Sequence, residues 1–201
     1  MRLLLAVALA ALPMLAQGQC LTDADAQGGV RVDFANGDVT TIRALGADMY
    51  QVDETFNNGS QTNRYHAAFS TYNFWYAPMQ GGKVMADQET RVDWGMDLSD
   101  LPRPAADLAQ WTTQVTESDL RGWTASAMRT VGYAAADPVA AGGCSYAALQ
   151  VGVFTDWPAP GSPQMQIWTY LPDLGVSFIT GWTTAQGDFT QTSVTAITAL
   201  P

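Results

Sequence analysis

One histidine, His66, is the only imidazole in a chain of 201 residues, so any nucleophile that relies on a histidine base must be served by it. The nearest thing to a nucleophile motif is Gly143-Cys144-Ser145-Tyr146-Ala147, which resembles the G-x-S-x-G elbow with Ala in the last place. An elbow feeds a helix, whereas the residues after Ser145 follow a strand pattern, which weakens a Ser145/His66 hydrolase. Carboxylates offer hydrolysis without histidine. Asp53 and Glu54 are adjacent in a strand pattern and point to opposite faces, so they are not a mutual pair. Asp93, Asp97 and Asp100 cluster around an irregular segment and form the second candidate hydrolytic set, although the same residue types cap turns and face water.

Metal and cofactor chemistry has little to work with. Two distant cysteines and one histidine have no zinc spacing. The run Asp23-Ala24-Asp25-Ala26-Gln27-Gly28 has the opening of a calcium loop but neither its third ligand nor its distal glutamate, and is expected to be a solvated turn. Neither Gly28-Gly29 nor Gly142-Gly143 sits in a phosphate-loop or dinucleotide pattern. No metal and no cofactor are expected. The most distinctive side chains are aromatic: Tyr72, Trp75, Trp94 and Trp157 are the candidate ligand-binding residues. Alternation over residues 72–76 places Tyr72, Phe74 and Tyr76 on one face and Trp75 on the other, while Trp94 and Trp157 flank the acidic and Pro-rich loops. Aromatics at loop edges stack on sugars, on lipids or on the apolar patch of a partner.

The elements that must position these residues are strands. Short β-branched and aromatic runs broken by Gly, Asn, Asp or Pro predict strands over residues 30–35, 38–45, 49–56, 62–70, 71–77, 83–94, 111–117, 122–136, 144–156, 165–171, 176–184 and 187–200. In the first hairpin Val30, Val32 and Phe34 share a face, and Asn36-Gly37 suggests a two-residue type I′ turn. Residues 95–109, interrupted by Pro102 and Pro104, are expected to be a surface excursion. A sheet of this size cannot stay flat and unprotected. The expected fold is therefore a single all-β domain over residues 19–201, an antiparallel β-sandwich or partly closed up-and-down β-barrel of about ten strands. An outer-membrane barrel is disfavoured because residues 187–200 offer no continuous apolar face.

Residues 1–18 have a basic start, an apolar run of about ten residues and small residues at Ala16 and Gly18, the pattern of a cleaved secretory signal peptide. No later stretch has the ~18 to 20 apolar residues a membrane-crossing helix needs. The destination is therefore periplasmic or secreted, an oxidising compartment in which Cys20 and Cys144 are expected to form a disulfide. Nineteen acidic against nine basic residues, for a formal net charge of −10, disfavour nucleic acid and anionic lipid as partners. Sparse Lys with abundant Ala, Gly and Asp points to a GC-rich bacterial genome. With no complete catalytic set, the expected role is non-enzymatic binding of a small ligand or an envelope protein. A carboxylate or Ser145/His66 hydrolase is the alternative.

Overall fold

The computed structural model describes residues 20–46, 48–56, 59–158, 163–183 and 187–201, so the expected leader over residues 1–18 lies outside the described residues. The chain enters through one helical turn, α1 (Asp23–Ala26), in place of the expected solvated turn. Its cause is a capping box: the Asp25 carboxylate accepts from both the backbone N–H and the hydroxyl of Thr22.

Five strands follow as an antiparallel meander: β1 (Val30–Phe34), β2 (Val39–Gly46), β3 (Met49–Phe56), β4 (Gln61–Ala68) and β5 (Tyr72–Gln80). The short β6 (Lys83–Val84) folds back on β5, and β7 (Thr90–Asp93) then pairs with β5. β8 (Trp111–Asp119) and β9 (Thr124–Ala135) continue the sheet, and a separate hairpin holds β10 (Val139–Ala141) and β11 (Cys144–Tyr146). β12 (Leu149–Asp156), β13 (Gln164–Leu171), β14 (Val176–Thr183), β15 (Phe189–Gln191) and β16 (Val194–Ala199) complete the described strands.

Fourteen strands form one antiparallel sheet in the order β15-β14-β13-β12-β9-β8-β7-β5-β4-β3-β2-β1-β16, with β6 beside β5. The path ends in two different strands and is not a closed barrel; the sheet instead folds over itself like a sandwich. Strands far apart along the path meet across the interior: Phe34 on β1 and Phe178 on β14 make an edge-to-face contact at 5.9 Å. The Thr71 and Ser177 hydroxyls are 2.7 Å apart. The Cys20–Cys144 disulfide, spanning 124 residues, pins the entering chain to the β10–β11 hairpin beside one apolar cluster.

Several expected strands are divided. A 3-10 turn at Ala86–Gln88 splits residues 83–94 into β6 and β7, and residues 144–156 and 187–200 are likewise broken at 147–148 and 192–193. The first turn also differs from expectation. Among residues 35–37 only Gly37 has a positive φ, 86°, and Phe34 both accepts from the Gly37 N–H and donates to the Asp38 carbonyl. That is a three-residue loop with glycine in the left-handed position, because the Asn36 side chain accepts from the Asp38 N–H instead of the Asn36 backbone entering that region.

The interior is packed as two apolar clusters. One joins β1–β3 to β14 and the disulfide hairpin, through Val30, Val32, Ile42, Val52, Leu171 and Phe178. The other joins the β4–β5 turn to β7, β8, β9, β12 and β13, through Tyr72, Trp94, Val115, Val131, Val151 and Trp168. The irregular segment after β7 runs largely over the surface, as expected, but is anchored to the second cluster: Leu101 is buried and the Pro102 carbonyl accepts from the Tyr72 hydroxyl.

Candidate functional site

On several strands the inward face changes from apolar to polar within one two-residue step: Val52 to Glu54 on β3, Val115 to Glu117 on β8, Val153 to Thr155 on β12. The sheet aligns these changes, since Glu54 stands opposite Asn63, Tyr65 opposite Tyr76, and Thr155 opposite both Arg129 and Gln164. The result is a cleft of about 640 Å³ between the two layers. Its floor carries Tyr76, Glu117, Arg129 and Thr155, its walls the amides of Gln61, Asn63, Asn73, Gln164 and Gln166, and its rim Trp123 and Trp157.

The floor is a connected network. Arg129 donates from Nη2 to Glu117 Oε1 at 2.9 Å and from Nε to Thr155 Oγ1 at 3.1 Å, and its guanidinium lies 4.9 Å from the centre of the Trp94 ring. Tyr76 donates its hydroxyl to Glu117 Oε2 at 3.3 Å. Both charged side chains are more than nine-tenths buried. Burial presses the Arg129 guanidinium below its ordinary pKa, with the Glu117 carboxylate pulling the other way. Arg129 stands opposite Thr113, four pairs along the ladder from Glu117, so only a side chain of its length reaches the carboxylate diagonally.

A second cavity of about 590 Å³ adjoins the first and shares Gln61, Tyr65, Gln164 and Gln166 with it. Glu54 lines it, is 2% exposed, and has no hydrogen-bond partner for Oε2 among the described residues. Burial pushes the Glu54 carboxyl up to about 7; the Tyr65 hydroxyl opposes this and the Asp38 charge adds to it. Tyr65 and Tyr76 have ring centroids 6.0 Å apart and sit on the strands between Glu54 and the β7–β8 pair.

No protein-family model matches the sequence, and no curated protein or solved structure is significantly similar to it. The geometry therefore carries the functional argument by itself.

Of the four aromatic candidates, Trp157 lines the cleft. Tyr72 and Trp94 are core residues, 0% and 1% exposed and in edge-to-face contact at 5.3 Å. Trp75 lies on the other face of β5, stacked on His66 at 4.7 Å and donating Nε1–H to Glu89. The β4–β5 ladder shifts register between His66 and Ala67, leaving Phe74 unpaired, yet Tyr72, Phe74 and Tyr76 all pack on the second apolar cluster, as alternation predicts; Tyr76, not Trp75, faces the cleft. Burial and the Arg64 charge hold the His66 imidazole below its ordinary pKa. Ser145 is exposed on β11 beside the disulfide, and neither it nor His66 lines the cleft. Asp93 accepts from the Gly95 N–H, Asp97 precedes the 3-10 turn Leu98–Asp100, and all three aspartates of that loop are exposed. Among the described residues no group of three or more potential metal ligands converges.

The residues that build the cleft floor were not among the sequence candidates. Their signal is a charge in phase with buried apolar neighbours: Val52-x-Glu54, Val115-x-Glu117, and Arg129 between Ala127 and Val131. A charged side chain at an inward position is expensive unless it is paired, and that cost marks the position.

Proposed function

We propose that the chain is an exported, non-enzymatic β-domain of the bacterial envelope that holds a small, hydroxyl- or amide-rich ligand of oligosaccharide type in the cleft between its two layers. The observation that carries this reading is the buried Arg129–Glu117 pair in the floor of an open 640 Å³ cavity. A buried ion pair is seldom more stabilising than apolar residues of the same size, so its position facing a cavity is better explained by recognition than by folding. Amide walls supply paired donors and acceptors to hydroxyls, and Trp123 and Trp157 supply stacking surfaces at the rim. The disulfide supports an extracytoplasmic setting.

Catalysis is less well supported. Glu54 and Glu117 lie on strands with β4, β5 and β7 between them, whereas glycosidase carboxylates flank a single bond at roughly 5 to 9.5 Å. Calorimetric titration of the protein with neutral oligosaccharides of the bacterial envelope tests the proposal, with tryptophan fluorescence as a second signal. Binding that weakens about tenfold in Trp157→Ala is the expected result. Silence across the panel, together with measurable turnover of an ester or glycoside, rejects it.

A further inference from the structure

Beside the cleft, the second cavity has a chemistry of its own. Its lining includes two carboxylates, Glu54 and Asp38, and the aromatic rings of Phe56, Tyr65 and Trp182, but no Lys, Arg or His among the described residues. Asp38 is held by the Asn36 amide at 2.7 Å, whereas Glu54 Oε2 is buried with no donor among the described residues. A buried carboxyl oxygen in that condition is a site awaiting a donor. Aromatic rings around carboxylates suit an organic cation, which gains cation–π attraction as well as the ion pair. A hard divalent ion needs six or more oxygens, and no group of three potential metal ligands gathers among the described residues. The chain's net charge of −10 draws cations toward the protein.

We propose that this cavity is a subsite for a primary ammonium group, bound by Glu54 and Asp38 with its carbon skeleton against Phe56, Tyr65 and Trp182. The inference deepens the reading of the cleft as a ligand site: the bound molecule carries an amine next to its hydroxyl-rich part. Binding couples to a proton. Glu54 is protonated below about pH 7, and the charged amine needs the ionised form, so an incoming ammonium group expels the Glu54 proton. The titratable groups facing Glu54 are Tyr65 on β4 and Asp38 at the start of β2, and neither is a cation that would already ionise it.

The test uses n-butylamine, with n-butanol as its uncharged counterpart, on the whole protein labelled with 13C at glutamate side-chain carboxyls. The amine is expected to lower the Glu54 titration midpoint and to bind about tenfold more tightly near pH 8 than near pH 6, because the ionised fraction of Glu54 rises by about that factor. The alcohol is expected to do neither, and Glu54→Gln, which keeps shape and removes charge, is expected to abolish the preference for amine. An unchanged Glu54 titration, equal binding at both pH values, or amine binding undiminished in Glu54→Gln would overturn the subsite. Amine binding with silence from the oligosaccharide panel retains the subsite and removes the hydroxyl-rich reading. Oligosaccharide binding without the amine response does the reverse.

Discussion

The two ends of the interior are built on the same strands but do opposite things. Around Phe34, Val52, Phe178 and the disulfide, the inward side chains are mostly apolar, with Thr40 and the hydrogen-bonded Thr71 and Ser177 among them, and the layers close on each other. Two residues further along β3, Glu54 replaces that pattern, and around it the layers stand apart and leave two adjoining cavities. Apolar faces gain from contact in proportion to the area removed from water, so they draw the sheets together; polar faces lose solvation on contact and need partners, so they keep a gap. Because strand alternation has a period of two, a single position per strand is enough to move from one regime to the other. The closed end supplies stability and frees the open end to carry groups that do not contribute to it.

The largest expected effect lies at the closed end. Replacing Cys20 and Cys144 together by serine removes a link across 124 residues, and the chain-entropy relation assigns such a link about 4 to 5 kcal/mol. Urea denaturation should show a loss approaching that size, with oligosaccharide affinity preserved when measured well below the midpoint. Affinity lost in step with stability would mean that the two ends are one unit and that the contrast between them is false.

Next comes the buried pair. Arg129→Met alone leaves Glu117 charged without its partner and should cost about 3 to 5 kcal/mol, comparable to cavity formation in Phe178→Ala at the closed end. The regions should then diverge. Adding Glu117→Gln to Arg129→Met should restore most of the stability while leaving ligand affinity low, because an apolar and neutral floor packs adequately but recognises nothing. No second change at Phe178's neighbours is expected to rescue Phe178→Ala so fully. If the double variant remained as unstable as the single one, the ion pair would be a folding element and the argument for recognition would lose its footing.

What the sequence revealed of this contrast depended on how local its cause was. The β1–β2 hairpin was legible because Val30, Val32 and Phe34 alternate cleanly and Gly37 marks the turn, although the loop proved to be three residues long. The β4–β5 turn was not legible. Phe69 and Ser70 take positive φ values of 49° and 51° with no glycine or asparagine to announce them. They are held there from outside the hairpin: the Ser70 hydroxyl accepts from the Ser177 N–H and Arg103 lies over the Phe69 ring. The all-β class followed from the strand pattern and the disulfide from the expectation of an oxidising compartment, both read from local stretches of sequence. The cleft followed from neither, since its lining comes from β4, β5, β8, β9, β12 and β13, which the sheet gathers from distant parts of the chain, and Glu54 faces an adjoining cavity. The local pattern of Glu54, Glu117 and Arg129, a charge in phase with apolar neighbours, becomes informative only when both faces of the strand are considered.

Glu54 gives a third and smaller effect. Its carboxyl is lifted from an ordinary 4.5 to about 7, so the folded chain holds this proton more tightly than the unfolded one. Stability is highest where both states are protonated, falls as pH rises from about 4.5 to about 7, and levels off above that, for a total of roughly 3 kcal/mol. Glu54→Gln removes the titration. Its stability should match the parent's near pH 4, exceed it near pH 8 by an amount of that order, and show a flatter profile between. Denaturation midpoints across this range supply the measurement. A parent profile with no decline through the interval would show that Glu54 ionises freely, and the open end would then hold no stored proton.

The smallest effect on stability is expected at the rim, where it separates the two regions most clearly. Trp123 is 48% exposed and its truncation to alanine leaves no closed cavity, so urea denaturation should change by no more than about 0.5 kcal/mol. Ligand affinity should nevertheless fall several-fold, because a stacking face at the mouth acts only on what enters. Trp168, 3% exposed on β13 within the second apolar cluster, is the matched control. Its truncation should cost about 3 to 5 kcal/mol and leave the affinity of the remaining folded molecules nearly unchanged. Two tryptophans in one chain would then report opposite outcomes in the two assays. Equal behaviour in both would mean that the cleft is a packing fault of the sandwich rather than a place built to receive a ligand.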